Sequence, residues 1–452
     1  MTDVTIEPLL PSLRQIANAG EQALPESVEF EQLIATIYKA NRKRRRRRSG
    51  QARKAQDRET KRAAGRVRSD DQNAPVQNRE LVGRANRCYV CSQPYRQLHS
   101  FYHMLCPKCG DRCWPKREQS SDLSGRRALV TGGRIKIGFE SALKLLRAGA
   151  EVHVTTRFPQ DAAVRFSEQA DFGQWSDRLT IHRVDFRNLP GLFEFIDDFR
   201  TQVGSLNILI NNAAQSVKRS QEYHQRLASF EHAKLTSEQT ELLGATVKPT
   251  NAARIASQSG VQTNLTVNQW LAEVAPLHLL RDDDDRHDQR EQNSWTQRLS
   301  DIQPVELLEV LLINSAAPAL MVRGFRDLFC QSPFSDRFIV NVSGADGTFR
   351  LSKSGLHPHV NMSKAAMNMI TRSCSRDFAT DGICINSVDT GWITHEGSYS
   401  YRKLRSEQGF VPPFDTIDGA ARVLDPVFRF AGSDPVNITS GALFRNFEPS
   451  SW

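Results

Sequence analysis

The sequence predicts an α/β protein in which a doubly wound parallel sheet is preceded by a small cysteine module and N-terminal helices. Three observations predict this. From Leu123 onward, short apolar strands alternate with helical stretches. A glycine-rich turn links the first of these strands to the first helix. Ahead of both, four cysteines stand as two Cys-x2-Cys pairs.

The strands are read at Arg127–Thr131, Glu151–Thr155, Leu179–Val184, Leu206–Ile210, Phe338–Val342 and Ile383–Val388. Helices are read at Phe139–Ala148, between the third and fourth strands, around Asn314 and from about Asn361. Near-continuous apolar strands with helices between them mark a sheet buried on both faces. Residues 123–452 form this domain. Residues 216–304 interrupt it with Gln, Asn, Thr and Asp and an acidic run, Asp282–Asp285. This insertion is read as partly helical and partly disordered. It leaves the chain at the carboxyl end of a strand, the end of an open α/β sheet that carries the ligand crevice. It is therefore expected beside that crevice, as a lid or a docking element.

Residues 1–41 read as helix in two pieces. Phe30, Leu33, Ile34, Ile37 and Tyr38 recur at helical spacing, and this stripe calls for a partner surface. Residues 42–81 form a basic linker or a solvated extension of the helix. Between Arg42 and Arg68, fourteen Lys/Arg face only Asp57 and Glu59, which is +12. The whole chain carries +9, so the remainder is −3 and the basicity belongs to one tract. The run Arg42–Arg48 suits a nuclear address, or a nucleic-acid contact to phosphates without sequence readout, since no aromatics interleave it. A protein partner is expected through the N-terminal helix, the cysteine module or the insertion. No run of 18 apolar residues argues for a membrane span. Met1–Leu10 carries Asp3 and Glu7 and has no secretory pattern. An intracellular protein is expected, cytoplasmic or nuclear.

Of eight cysteines, Cys88, Cys91, Cys106, Cys109 and Cys113 fall within 26 residues, and Cys330, Cys374 and Cys384 are scattered. That pattern reads as a metal site in a reducing compartment, not a disulfide framework. Cys88-x2-Cys91 and Cys106-x2-Cys109 are fourteen residues apart. Each pair makes a turn that aims two thiolates at one tetrahedral Zn2+. Residues 82–117 are thus expected to form a structural zinc ribbon. A RING finger needs a second complete ligand set, and Cys113 has no paired cysteine after it.

The stretch Arg127–Gly138 reads as a strand, a tight turn and a helix start, in which backbone N–H groups meet a pyrophosphate. Asp185 follows the third strand, and Asn211-Asn212-Ala213-Ala214 follows the fourth. Together these residues resemble the short-chain dehydrogenase/reductase family, which uses T-G-x-x-x-G-x-G, an acidic residue after the third strand and N-N-A-G after the fourth. The resemblance covers roughly residues 123–452 without the insertion. It implies a Rossmann domain holding a dinucleotide through Thr131, Gly132, Arg134, Ile137, Gly138, Asp185, Asn211, Ala213, Lys364, Gly391 and Ile393. Lys136 departs from the second glycine of the pattern and Ala214 from the last. A lysine there pairs with phosphate or crowds the backbone. The second strand ends Thr155-Thr156-Arg157, without the carboxylate that NAD sites place on the ribose. Arg157, aided by Arg134, suits a 2′-phosphate, so NADP(H) is expected over NAD.

The family's catalytic tetrad is Asn, Ser, Tyr and Lys. Asn314 and Lys364 match two of these. The tyrosine position, four residues before the lysine, is Val360, and the serine position is Gly344 with Ser343 one place early. Strand alternation turns Ser343 to the other side. A valine transfers no proton, so the family mechanism cannot operate as it stands. His357, His359 and His395 are the candidate substitute acids, since histidine titrates near neutral pH. The resemblance thus implies an NADP(H)-binding oxidoreductase with a degenerate tetrad. The alternative is a catalytically inactive nucleotide sensor or scaffold acting through its zinc ribbon and insertion.

Overall fold

The computed structural model describes residues 7–19, 27–67, 79–218, 231, 234–244 and 290–452. Most of the insertion, with its acidic run, lies outside them. Helices α1 (Leu10–Ala19) and α2 (Val28–Arg62) come first. Ser27 caps α2 by accepting from Phe30 N at 3.4 Å, and α2 runs unbroken from the apolar stripe through Arg42–Arg48. None of its residues is buried, and Leu33, Ile34, Ile37 and Tyr38 face solvent among the described residues. The cysteine module follows. It is a short hairpin (Asn86–Arg87 with Pro94–Tyr95), a second antiparallel pair around it (Arg79–Glu80 with Gln97–Leu98) and helix α3 (Pro107–Cys113).

The sheet domain is built from β1 (Arg127–Thr131), α4 (Lys136–Arg147), β2 (Glu151–Thr156), α5 (Pro159–Ser167), β3 (Leu179–Arg183), α6 (Leu189–Gln202) and β4 (Ile208–Asn211). After the insertion come α7 (Pro304–Leu311), a π-helical segment (Leu312–Ala316) and α8 (Ala317–Gly324). Then follow β5 (Arg337–Ser343), α9 (Pro358–Ala379), β6 (Ile383–Asp389), α10 (Tyr399–Glu407), α11 (Thr416–Phe430), β7 (Leu443–Arg445) and β8 (Glu448–Ser450). The strand order is 3-2-1-4-5-6-7-8, and every pair is parallel except the edge pair β7–β8. The expected α/β fold is present, and the strands read from sequence are in place to within a few residues.

Alternation along each strand splits the core in two. Ala128 and Val130 of β1, Ile208 and Ile210 of β4, and Val340 and Val342 of β5 pack with α4, α5 and α11. Leu129, Leu209 and Ile339 face the other way, against α6 and α8. The helix from Pro304 to Gly324 has the length and composition of a membrane span. It is half buried here, with Val310, Met321 and Val322 in the interior, and Glu306, Glu309 and Asn314 interrupt its apolar run.

The cysteine module is not a bead on a string. Leu98, Phe101, Tyr102 and Leu105 share a third core with Ile393, Phe414 and Phe447 of the sheet domain. After α2 the chain pairs with the module, Gly65 N and Arg66 N donating to Ser100 O and Phe101 O at 3.1 and 2.9 Å. Polar contacts seal the seam to α11. Tyr102 Oη donates to Asp418 at 2.5 Å, and Arg117 meets Asp415 at 2.8 Å and Asp418 at 3.1 Å. Arg117 and Asp418 are both buried, so the guanidinium is what makes two neighbouring carboxylates tolerable there. Arg117→Ala should lower unfolding free energy by about 3 kcal/mol in a urea titration, as expected when one partner of a buried ion network is removed. A loss no larger than that of an exposed arginine would show that the seam does not depend on it.

Candidate functional site

The turn after β1 is fixed by backbone contacts that only glycine permits. Gly132 has φ of +68°, and the Gly132 and Gly133 amides donate to Thr155 O at 2.9 and 3.2 Å. A Cβ on Gly138 would lie 2.2 Å from Gly132 O, and one on Gly133 2.7 Å from Val154. Asn212 Nδ2 ties the turn to β4 by donating to Thr131 O at 2.9 Å and Gly132 O at 3.2 Å. Lys136, at the family's second glycine, adopts φ of +56°. A side chain in the left-handed region costs on the order of 1–2 kcal/mol. The backbone shape of the motif is therefore kept although the glycine is gone. No side chain caps α4, so its first-turn N–H groups open toward the space beyond the turn.

That space is a cleft of about 880 Å³ at the carboxyl ends of β1, β2, β4, β5 and β6. Of the expected cofactor residues, Gly132, Arg134, Ile137, Gly138, Arg157, Asp185, Ala213, Lys364, Gly391 and Ile393 line it. Thr131 and Asn211 stand behind it. Thr131 Oγ1 accepts from Asn212 N and Ala213 N at 2.9 Å each, and Asn211 donates to Asn341 Oδ1 at 2.8 Å. Arg134 pairs with Asp161 at 2.6 Å, and after β3 Asp185 pairs with Arg187 at 2.5 Å. Arg157 lies over the Phe158 ring at 5.4 Å.

The tetrad positions divide the same way. Lys364 lines the cleft and donates to Val342 O at 2.7 Å. Burial lowers its ammonium to about 8, against a smaller opposing pull from Asp346. Asn314 sits buried in the π-helical segment, as residues in such bulges often do at functional sites. It accepts from Gln215 N at 2.7 Å and donates to Ser363 Oγ at 3.0 Å, clamping the end of β4 to α9 rather than lining the cleft. Val360 is buried. Ser343 contributes to the cleft lining, while its Oγ is buried and has no hydrogen-bond partner among the described residues.

The three histidines have different fates. His395 lines the cleft, where burial and then Arg405 and Arg402 lower its pKa. His359 does not reach the cleft and is fully buried, with Nε2 3.7 Å from Glu306 of α7. It stands five residues before Lys364, off the helix face that Lys364 shares with Val360, which corrects its candidacy as the cleft acid. His357 precedes α9 and meets Asp346 of the cleft wall at 3.6 Å.

Several cleft residues gave no local signal in the sequence. Tyr89 comes from between Cys88 and Cys91, and its hydroxyl accepts from Trp392 N at 2.9 Å. Trp295 comes from the far end of the insertion and stacks on His357 at 3.9 Å. The described part of the insertion touches both ends of the cleft. Glu231 accepts from Gln160 N and Asp161 N at the start of α5, while Asn293 Nδ2 donates to Glu396 O and Gly397 O.

In the module, the Sγ atoms of Cys88, Cys91, Cys106 and Cys109 all lie within 4.8 Å of one another, with Cys91 and Cys106 3.9 Å apart. Four thiolates at about 2.3 Å from a tetrahedral Zn2+ would stand roughly 3.8 Å apart, so the set fits that ion. Cys113 and His103 are engaged elsewhere, with Arg422 at 3.6 Å and Val411 O at 3.0 Å.

The short chain dehydrogenase family model matches residues 126–236. An uncharacterized protein of Acanthamoeba polyphaga mimivirus is 29% identical over 355 residues, 75% of this chain and 71% of that one. A "Probable oxidoreductase" of Streptomyces lividans is 39% identical over 92 residues, 20% of this chain and 29% of the relative's own length. NADPH-bound carbonyl reductase from chicken fatty liver is 18% identical, with 73% of this chain and all of that chain covered at a TM-score of 0.44. Over residues 126–236 the chain is thus similar to the short chain dehydrogenase family.

Lys364 gives the site a measurable pH signature. Its pKa is about 8 in the folded chain against an ordinary 10.5, so the folded state binds fewer protons between those values. Stability should therefore rise with pH across that window, by roughly 3 kcal/mol at most. Denaturant unfolding at pH 7, 8.5 and 10 should show this rise in the wild type relative to Lys364→Met. Parallel curves for the two proteins would mean the ammonium is not held in a desolvated site.

Proposed function

We propose that the cleft binds NADP(H) and that the chain is an oxidoreductase whose proton transfer does not use a tyrosine on α9. The observation that carries this is the cleft itself: a glycine cradle that a Cβ would fill, with Lys364 buried at its far end. Gly132 and Gly138 would admit the pyrophosphate to the backbone and to the start of α4. Lys364 would hold the ribose, and Gly391 and Ile393 the nicotinamide end. A bound dinucleotide supplies or accepts the hydride. Arg157, which lines the cleft at the end of β2, is the choice for the 2′-phosphate, because β2 ends without a carboxylate. Calorimetry should give tighter binding for NADPH than for NADH, and Arg157→Asp should reverse the order. Equal affinities in the wild type would remove the phosphate assignment.

A second reading, a nucleotide-binding scaffold without turnover, draws on one observation: the tyrosine position is a buried valine. Sustained NADPH oxidation by a carbonyl compound would exclude it.

The same proposal gives the module one structural Zn2+ held by Cys88, Cys91, Cys106 and Cys109. Its part would be architectural, since the Cys88–Cys91 turn carries Tyr89 to the cleft wall. Elemental analysis should find one zinc per chain. Cys106→Ser should lose it and weaken NADPH binding several-fold through the displaced Tyr89. Far less than one zinc in the pure wild-type protein would refute the site.

A further inference from the structure

Asp346 stands where the end of β5 meets the cleft. It lies beside Gly344: a Cβ built there would stand 3.5 Å from Asp346 Oδ2, in ordinary contact. The carboxylate thus occupies the cleft wall beside the position where a family member carries its serine. Its other oxygen, Oδ1, is 3.6 Å from His357 Nε2. The opposite ring nitrogen, Nδ1, is 3.0 Å from Trp295 O. A carbonyl oxygen only accepts, so Nδ1 carries a hydrogen. A neutral ring would then turn a bare Nε2 lone pair toward a carboxylate. The arrangement is favourable only if one proton lies between them, on the imidazole or on the carboxyl.

The ring is held to this task. Trp295 stacks on it at 3.9 Å and 8°, and the His357 amide donates to Gln297 O at 2.8 Å. These contacts hold His357 at φ of +42°, a strained value for a residue with a side chain. The position is the residue just before α9, three residues ahead of Val360. The other charges around the pair are Lys353, Lys364 and, more distantly, Asp389. Lys353 is tied to Ala345 O and Asp346 O at 2.8 Å, and Lys364 to Val342 O. Burial pushes Asp346 upward, but His357, Lys353 and Lys364 together hold it below its ordinary value.

We propose that Asp346 and His357 are the proton-donating pair of this cleft, in place of the tyrosine that Val360 replaces. The inference rests on the NADP(H) reading above. In the reducing direction, the carbonyl carbon of a substrate gains a hydride from a reduced nicotinamide dinucleotide. The C=O π pair moves onto oxygen; His357 passes the shared proton from Nε2 to Asp346, that carboxyl gives it to the oxygen, and the imidazole is refilled from solvent. An alcohol and the oxidised dinucleotide result.

The test needs no substrate. The oxidised nicotinamide ring is positively charged, so its arrival beside the pair should expel the shared proton, whereas the neutral reduced ring should not. NADP+ and NADPH are titrated calorimetrically at pH 7 in two buffers of different ionisation enthalpy, then from pH 5.5 to 8.5. The wild type should release a proton with NADP+ alone, and NADP+ affinity should climb with pH by up to about tenfold per unit. D346N and H357N should lose that release while keeping NADPH affinity within about threefold. Thermal melts check folding, and H357N carries the test if D346N is unstable, because asparagine tolerates the left-handed backbone. No binding of either nucleotide by the wild type would overturn the underlying reading. Binding without proton release, or release that survives in a folded H357N, would overturn the pair.

Discussion

The approach of Gly138 to the carbonyl of Gly132 is the constraint from which the rest of the site follows. With no Cβ at either position, α4 begins close against the end of β1, and its amides face the cleft. Asn212 locks the turn to β4, and Thr155 locks it to β2. Three neighbouring strands thus end at one point. Even Lys136, which would relax elsewhere, is held in a left-handed conformation there. Strain kept at one position while its surroundings are over-determined is characteristic of a functional turn.

The far side of the cleft is built differently. The cysteine module shares a core with Ile393, Phe414 and Phe447, and Arg117, Tyr102 and Lys116 reach Asp415, Asp418 and Asp425 of α11. A module that buries its apolar face against the domain cannot move without exposing it. Tyr89 is therefore a fixed part of the cleft although it comes from a separate sequence segment. The end of the insertion is tied in the same way, through Asn293 to the loop after β6 and through Trp295 to His357.

Beside Gly344 the cleft wall carries Asp346, and on α9 the buried Val360 fills interior volume. Lys364 and Asn314 keep their places, one at the cleft and one behind it as a clamp.

What the sequence by itself determined is local or periodic. Apolar alternation in Arg127–Thr131 and Phe338–Val342 gave strands buried on both faces, the glycines at 132 and 138 gave the turn, and Cys88-x2-Cys91 with Cys106-x2-Cys109 gave the thiolate cluster. Each is written within a few residues, because backbone sterics and short-range geometry act at that range. The tertiary structure alone decided which side chains meet across the cleft. Tyr89 meets Trp392 across 303 residues, and Trp295 meets His357 across 62. It also separated His359 from His357: two residues apart on the turn into α9, they face different ways, and only one finds a carboxylate at the cleft wall. Such pairings depend on how helices and insertions pack, which is set by burial of the whole apolar surface and carries no signature in either segment alone.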